Sequence, residues 1–200
     1  MGFTGLRFAG LTHAFSVSVS RGARVVETNG AATGAADDVV VLLGGLGDSS
    51  RWIEAVAARC RAGIALLSID QMLGGRNDVH DLTVVLDAFE VREAVVVSSG
   101  DAARSALDFW RNAPERVRSL VLVGPTDAVG PAELGDGPPP GNVEVLLAGG
   151  ITRGWADVPC STFVPGLDRA ALVSSPAGTD ATTAAILRAL RRRGAPSPAT

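Results

Sequence analysis

Five largely apolar runs, of which residues 39–43 are unbroken, constrain the fold of this chain more than any other feature. Such runs are typical of strands covered on both faces of a parallel sheet; they span residues 39–43, 64–69, 94–97, 117–123 and 143–147. Helical patterns lie between them, at residues 50–60, 78–89 and 103–112. Strands that alternate with helices predict a three-layer α/β fold with a mostly parallel sheet and right-handed crossovers.

The first residues have a different pattern. Apolar and polar residues alternate over residues 15–19, which predicts a half-buried strand. Residues 23–27 can pair with it around the turn Ser20-Arg21-Gly22, so we expect an N-terminal antiparallel hairpin. Residues 29–34 combine asparagine, glycine and alanine and have the composition of a loop.

The last third of the chain contains two more predicted elements. Residues 172–174 are predicted to form a last short strand, and residues 181–193 the helix that packs behind it. We expect a single domain over residues 1–194 and a flexible tail over residues 195–200, which contain two prolines.

Composition and charge exclude several classes of partner. An apolar content of 46% in 200 residues suits one compact domain with a sizeable core. The net charge of −3 gives no reason to expect a nucleic acid or an anionic membrane as partner. The one basic cluster, Arg188 with residues 191–193, closes the C-terminal helix, where cations complement the helix dipole.

Cysteine usage and the N-terminus indicate the cellular location. Cys60 and Cys160 are too few for a disulfide framework or a metal site, and we expect free, buried thiols. The first residues lack a basic segment followed by a long apolar run, and no apolar stretch approaches the length of a membrane span. We therefore expect a cytoplasmic protein that needs neither a metal nor a cofactor.

The sequence around Gly100 resembles a catalytic turn. Residues 95–109 (VVVSSGDAARSALDF) and 114–125 (PERVRSLVLVGP) predict a strand, a turn of small residues, a helix and a second strand. They resemble the nucleophile elbow of the α/β-hydrolase superfamily, whose turn reads G-x-S-x-G. In that register Gly100 stands at the nucleophile position, and Ser98 and Ala102 stand at the flanking glycines. Because glycine carries no nucleophile, the resemblance implies the hydrolase architecture without hydrolysis by the usual route.

The other two triad positions are also unusual. In the family the catalytic histidine belongs to a Gly-His pair after the last strand, and the resemblance puts Thr179 at that position. His13 and His80 lie elsewhere in the topology. No carboxylate follows residues 143–147, which leaves Asp127 as the candidate acid, with a turn residue as the alternative. A hydrolase with Ser99 as a displaced nucleophile stays a third hypothesis, although a hydroxyl without a base is a poor nucleophile.

A glycine-rich segment after the first buried run completes the candidate site. Residues 43–52 (LGGLGDSSRW) resemble the family's oxyanion loop, H-G-x-G, with Gly44 at the histidine position. The resemblance implies that the N–H groups of Leu46 and Asp101 converge to stabilise an enolate or bind a carboxylate; a plain tight turn is the alternative. The glycines do not fit a dinucleotide fingerprint, and a P-loop would need a lysine, which the chain lacks. The candidate substrate-binding residues are Gly45, Leu46, Ser99, Gly100, Asp101, Trp155 and Phe163.

The resemblance also gives a hypothesis for function. Residues 126–142 are rich in glycine and proline and are too short for the helical lid of many α/β-hydrolases, so we expect an open cleft. As a whole, the chain resembles the triad-less α/β-hydrolase-fold enzymes of actinobacterial natural-product pathways, in particular the aspartate epimerases of bottromycin-type ribosomal peptide biosynthesis. This implies a modified-peptide substrate and an enolate-like intermediate. The alternative is a non-catalytic protein that binds a small molecule or a peptide.

Overall fold

The computed structural model describes most of the sheet and the helices that follow it. The described residues are 7–21, 24–35, 38–43, 55, 64–69, 78–126, 129–134, 141–149 and 154–192. The strands are β1 (Arg7–Arg21), β2 (Arg24–Ala35), β3 (Asp38–Leu43), β4 (Ile64–Ile69), β5 (Ala94–Ser99), β6 (Val117–Val123), β7 (Val143–Gly149) and β8 (Ser161–Asp168). The helices are α1 (Asp78–Ala88), α2 (Ala103–Asn112), α3 (Arg169–Ser174) and α4 (Pro176–Arg191).

The strands form one sheet in the order β1-β2-β4-β3-β5-β6-β7-β8. Strands β3 to β8 are parallel to one another, which confirms the predicted mostly parallel sheet with flanking helices. After β3 the chain adds β4 on one side, and it then adds β5 on the other side. The carboxyl ends of β3 and β5 therefore lie at the point where the strand order reverses, which is where open α/β sheets bind ligands.

The N-terminal strands extend the sheet in the antiparallel sense. Arg21 lies opposite Arg24, and Val17 lies opposite Thr28. The interpretation of residues 29–34 as a loop is wrong, because these residues belong to β2 and Gly30 lies opposite Ile69 of β4. Pairing with β4 gives the backbone its hydrogen bonds and overrides the low strand propensity of asparagine and glycine.

The buried side chains form a core on each face of the sheet. Alternate residues along a strand point to opposite faces, so that Val41 belongs to one core and Val40 to the other. Helices α1 and α2 cover the first face with side chains such as Leu86 and Phe109. Helices α3 and α4 cover the second face and bury Leu172 and Ile186, among others. The result is the predicted three-layer architecture.

The C-terminal segment differs from the prediction. Residues 172–174 are not a strand but the end of α3, and β8 is the last strand of the sheet. The backbone N–H of Ala171 donates to the Asp168 carboxylate at 2.7 Å, which caps the start of α3. A second cap, in which Gly178 N donates to Ser175 Oγ at 3.1 Å, starts α4 at Pro176 rather than at residue 181. The two caps explain why the strand prediction for residues 172–174 is wrong. Their apolar residues are compatible with either a helix or a strand, and the caps stabilise helices.

Two arginines at the end of α4 form ion pairs with a buried carboxylate of the sheet. The side chain of Glu144 on β7 is only 5% exposed. Arg188 Nε donates to Glu144 Oε1 at 3.1 Å, and Arg192 Nη2 lies 3.4 Å from Oε2. This part of the basic cluster therefore neutralises a buried carboxylate in addition to complementing the helix dipole.

Some predictions fall outside the described residues. They include the tail at 195–200 and the helix at 50–60, of which only Ala55 is described, as helical. Within the described part of the chain, no helix is long and apolar enough to cross a membrane.

Candidate functional site

Gly100 lies at the apex of a sharp turn between a strand and a helix. Strand β5 ends at Ser99 with extended backbone angles, φ −121° and ψ 147°. Gly100 then adopts φ +53° and begins a short 3₁₀ turn, Gly100–Ala102, which runs directly into α2 at Ala103. A positive φ of this size is disfavoured for residues with a side chain and costs glycine little. The structure thus gives residue 100 the sharp strand-to-helix position that the elbow resemblance implies.

The space above this apex is lined by the backbone and by Thr126. A Cβ atom built on Gly100 would have a single neighbour within 4 Å among the described atoms, Thr126 Cγ2 at 4.0 Å. Thr126 follows β6, and its Oγ1 is buried without a hydrogen-bond partner in the described structure. Among the described atoms, the apex therefore faces the methyl group of Thr126, and it has no nucleophilic side chain of its own.

The two serines before the apex point into the fold. Because neighbouring residues of a strand face opposite sides, Ser98 and Ser99 belong to different faces of the sheet. Ser98 is fully buried and Ser99 is 5% exposed, and the Ser99 hydroxyl does not cap the turn. Asp101, the next residue after the apex, has an exposed side chain. Its backbone N–H belongs to the first turn, where N–H groups lack helical acceptors.

Thr179 does not follow the last strand. That assignment depended on residues 172–174 being a strand, which is wrong. Thr179 lies in the first turn of α4 and is buried, and its Oγ1 donates to Ser175 O at 3.0 Å. A Cβ on the preceding Gly178 would lie 2.0 Å from Leu172 O, so this glycine permits the close approach of α4 to α3. The Gly-Thr pair is a helix-packing feature.

Arg169 is the residue that follows the last strand, and the sequence analysis missed it. Its side chain crosses the end of β6, where a Cβ on Gly124 would lie 3.0 Å from Arg169 Cγ and 3.7 Å from Cδ. Gly124, like Gly100, has φ +53°. The missing signal is the strand itself, because Pro165, Gly166 and exposed residues interrupt the apolar pattern of β8.

The remaining candidates are dispersed. Trp155 is fully buried, and its indole N–H donates to Val129 O at 2.9 Å, so the structure gives it a packing role. Phe163 is 56% exposed on β8. It is three strands from β5, which corresponds to roughly 14 Å at the usual strand spacing. Gly45, Leu46 and Asp127 lie outside the described residues. Their roles, and the ligand-binding roles of Trp155 and Phe163, stay predictions.

The described residues hold no group of three histidine, cysteine or carboxylate side chains that could bind a metal ion. His80 is exposed near the start of α1, and His13 lies within β1. The thiol of Cys160, just before β8, has a pKa above its ordinary value, first because burial disfavours the thiolate and further because Glu144 is negatively charged.

Comparison with known proteins identifies the fold. The sequence matches no protein-family model. It also matches no curated protein. Several solved structures share the architecture. A predicted CIB-like hydrolase from Thermoplasma acidophilum is 12% identical, with a TM-score of 0.62, over 86% of this chain and 97% of that chain.

Two esterases from Bacillus subtilis are similar to the same degree. The naproxen esterase is 14% identical over 90% of this chain and 92% of its own, with a TM-score of 0.65. Carboxylesterase CesB is 16% identical over 88% of this chain and 92% of its own, with a TM-score of 0.60. At such identities the likeness establishes the fold alone. The chain has the α/β-hydrolase fold, and Gly100 lies where its central parallel strand turns into a helix.

Proposed function

We propose that this α/β-hydrolase-fold protein is not a triad hydrolase, and that it binds a carbonyl-bearing ligand above Gly100 and moves a proton on the adjacent carbon. The observation that supports this is the glycine at the apex. With φ +53° and only Thr126 Cγ2, among the described atoms, within 4 Å of a Cβ built there, Gly100 leaves the backbone as the surface that a ligand carbonyl would meet. The particular reaction that we propose is the epimerisation of an aspartate in a ribosomally made, modified peptide of the bottromycin type.

The chemistry needs no covalent bond to the protein. A base removes the Cα proton, and the electron pair moves into the neighbouring carbonyl to form an enolate. Backbone N–H groups such as that of Asp101 stabilise the negative oxygen, and a proton returns to the opposite face of the carbon. The base is either a modest protein group or a carboxylate of the substrate itself. The proposal does not require the serine, histidine and acid of a hydrolase.

Deuterium uptake tests the proposed reaction. The protein is incubated in deuterium oxide with aspartate-containing peptides encoded beside its gene, and the products are analysed by mass spectrometry and chiral amino-acid analysis. We expect one deuterium at a single Cα position and both epimers of that residue. Tight binding of such a peptide without deuterium uptake would contradict epimerisation.

A second function is favoured by the side chains at the apex. The described side chain nearest to the space above Gly100, that of Thr126, is no base near neutral pH, and the neighbouring Asp101 carboxylate is exposed. A protein that binds a peptide or small molecule without chemistry fits this lining. The deuterium experiment separates the two functions, since a binding protein saturates with its ligand and leaves the ligand's hydrogen atoms in place. A cytoplasmic location stays a prediction for both.

A further inference from the structure

Arg169 is a cation without an internal partner at the ligand-binding edge of the sheet. Six arginines of the described structure lie within 4 Å of a carboxylate oxygen: Arg104, Arg111, Arg116, Arg118, Arg188 and Arg192. Arg169 is exposed and forms no such pair in the described part of the chain. Arg92 and Arg191 are also exposed and unpaired there. Arg92 precedes β5 and so lies at the opposite edge of the sheet from Gly100, while Arg191 ends α4.

The stem of Arg169 is held beside the apex. Its Cγ and Cδ pack over Gly124, where a Cβ atom would approach Cγ to 3.0 Å, a contact that few real Cβ atoms make. Ser99 and Val123 are register partners on neighbouring parallel strands, so Gly124 and Gly100 follow them side by side. The absence of a side chain at residue 124 therefore lets an arginine lie across the end of β6, one strand away from the apex.

A second polar group beside the apex lacks a partner. Thr126 Oγ1 is buried and makes no hydrogen bond in the described structure, and its Cγ2 is the nearest described atom to the space above Gly100. A buried hydroxyl without a partner is unfavourable, so Thr126 gains from a hydrogen bond to a ligand at this place. The only described carboxylate next to the apex, that of Asp101, is exposed and makes no ion pair with Arg169.

We propose that Arg169 and Thr126 bind a carboxylate of the ligand whose carbonyl lies over Gly100. The proposal rests on the proposed function and adds the residues that recognise the acidic group of the ligand. A guanidinium presents a fork of N–H donors that matches a carboxylate and keeps its charge at any working pH. Rotation about the Cα–Cβ bond of Thr126 brings its hydroxyl to the place of Cγ2, where it supplies one more donor. Arg169 binds and orients in this role and moves no proton.

A titration followed by nuclear magnetic resonance tests this site with a defined probe. The probe is N-acetyl-L-aspartate N′-methylamide, and its asparagine counterpart is the neutral match. We expect saturable shifts of the backbone amides of Gly100, Asp101 and Gly124 and of Arg169 Nε–H. We expect the neutral probe to bind the unsubstituted protein at least about tenfold more weakly, since it lacks the charge that pairs with the guanidinium.

Substitutions assign the effect to Arg169. Arg169→Gln should lower the affinity for the aspartate probe by about tenfold or more. Arg169→Lys should keep part of the affinity because it keeps the positive charge. Arg92→Gln and Arg191→Gln are the matched controls, and they should bind the probe as the unsubstituted protein does. All four changes are at exposed positions, and circular dichroism checks that the variants fold.

Two outcomes would overturn the site. One is equal binding of the two probes, or no binding of either, by the unsubstituted protein. The other is a folded Arg169→Gln variant that binds the aspartate probe as well as the controls do. A failure of deuterium uptake with these binding results intact would contradict the epimerase function and leave the carboxylate site standing.

Discussion

Gly100 adopts a backbone conformation that favours glycine and that would strain any residue substituted for it. Its φ of +53° lies in the left-handed region, and the nearest described atom to a Cβ there is 4.0 Å away. A side chain therefore fits the space but strains the backbone. In a hydrolase that strain is compensated by function, since the elbow presents a nucleophile. Here a glycine adopts the same turn without strain.

Gly100→Ser should fold but should not become an esterase. We expect a loss of about 1–2 kcal/mol in the free energy of unfolding because serine must adopt the left-handed conformation. We expect no burst of p-nitrophenol from p-nitrophenyl acetate, because triad members act as a unit and Thr179 is a buried helical residue. Gly141→Ser, with no described atom within 4 Å of its Cβ, is the control. A burst from the unsubstituted protein that Ser99→Ala abolishes would instead support a displaced serine nucleophile.

We expect the Cys160 thiol to be a slow nucleophile. We also expect it to make the folded protein less stable at alkaline pH. Its raised pKa, caused mainly by burial, means that the folded protein holds this proton when an unfolded thiol has lost it. The unfolded state then binds fewer protons, so the free energy of unfolding should fall as the pH rises above the ordinary thiol pKa. Urea unfolding between neutral pH and pH 10 measures this, with Cys160→Ser as the control. A Cys160→Ser variant with the same alkaline slope would contradict the assignment to this thiol.

We expect Trp155 to contribute more to the stability of the fold than to ligand binding. Its ring is fully buried, and its N–H donates to Val129 O at 2.9 Å. Trp155→Ala should therefore reduce the free energy of unfolding by about 3–5 kcal/mol, measured by urea denaturation. Trp110→Ala is the comparison, because that tryptophan is only partly buried. A Trp155→Ala protein of nearly unchanged stability that loses ligand affinity would instead support the predicted ligand contact.

The two C-terminal helices are joined at one crowded contact. A Cβ on Gly178 of α4 would lie 2.0 Å from Leu172 O and 2.5 Å from Leu172 C, both backbone atoms of α3. Backbone atoms cannot move away as a flexible side chain can, so any larger residue would separate the helices. Since Leu172 and Ile186 share one core, such a separation would also open the packing against the sheet.

Gly178→Ala should therefore be among the most damaging small substitutions. We expect a loss of about 3 kcal/mol or more in the free energy of unfolding, at the upper end of overpacking effects. The neighbouring Ala177 is exposed, and Ala177→Gly should cost only about 0.5–1 kcal/mol through helix propensity. Thermal denaturation of both variants checks this contrast, and equal melting temperatures would show that α4 adjusts without cost.

The sequence predicts the central architecture well because burial leaves a simple signal. Residues 39–43 are apolar throughout because both faces of the strand are covered, and β3 adds only Asp38 to that run. Strands β2 and β8 leave no such signal. The edge strand β8 alternates irregularly between exposed and half-buried residues, and β2 gains its structure from pairing with β4.

The candidate site was predictable only in part, for a related reason. The turn at Gly100 is local, so a contiguous sequence pattern locates it between β5 and α2. Arg169 reaches the apex through tertiary packing, and its position depends on where the last strand ends. Because the sequence pattern does not reveal β8, the predicted last strand ends at residue 174. Gly178-Thr179 is then assigned to the segment that follows the last strand, although that segment begins after β8. One missed strand therefore displaced an entire site assignment.

The last strand also determines how this sheet meets other molecules. Strand β8 pairs with β7 on one side and has no strand partner on its other side within the described structure. An unpaired strand edge invites addition of another chain, but Pro165 offers no N–H group and Gly166, at φ +76°, breaks the regular strand geometry. The same two residues that hide β8 from pattern recognition make it a poor template for further strands. At high concentration this end of the sheet should resist edge-to-edge polymerisation.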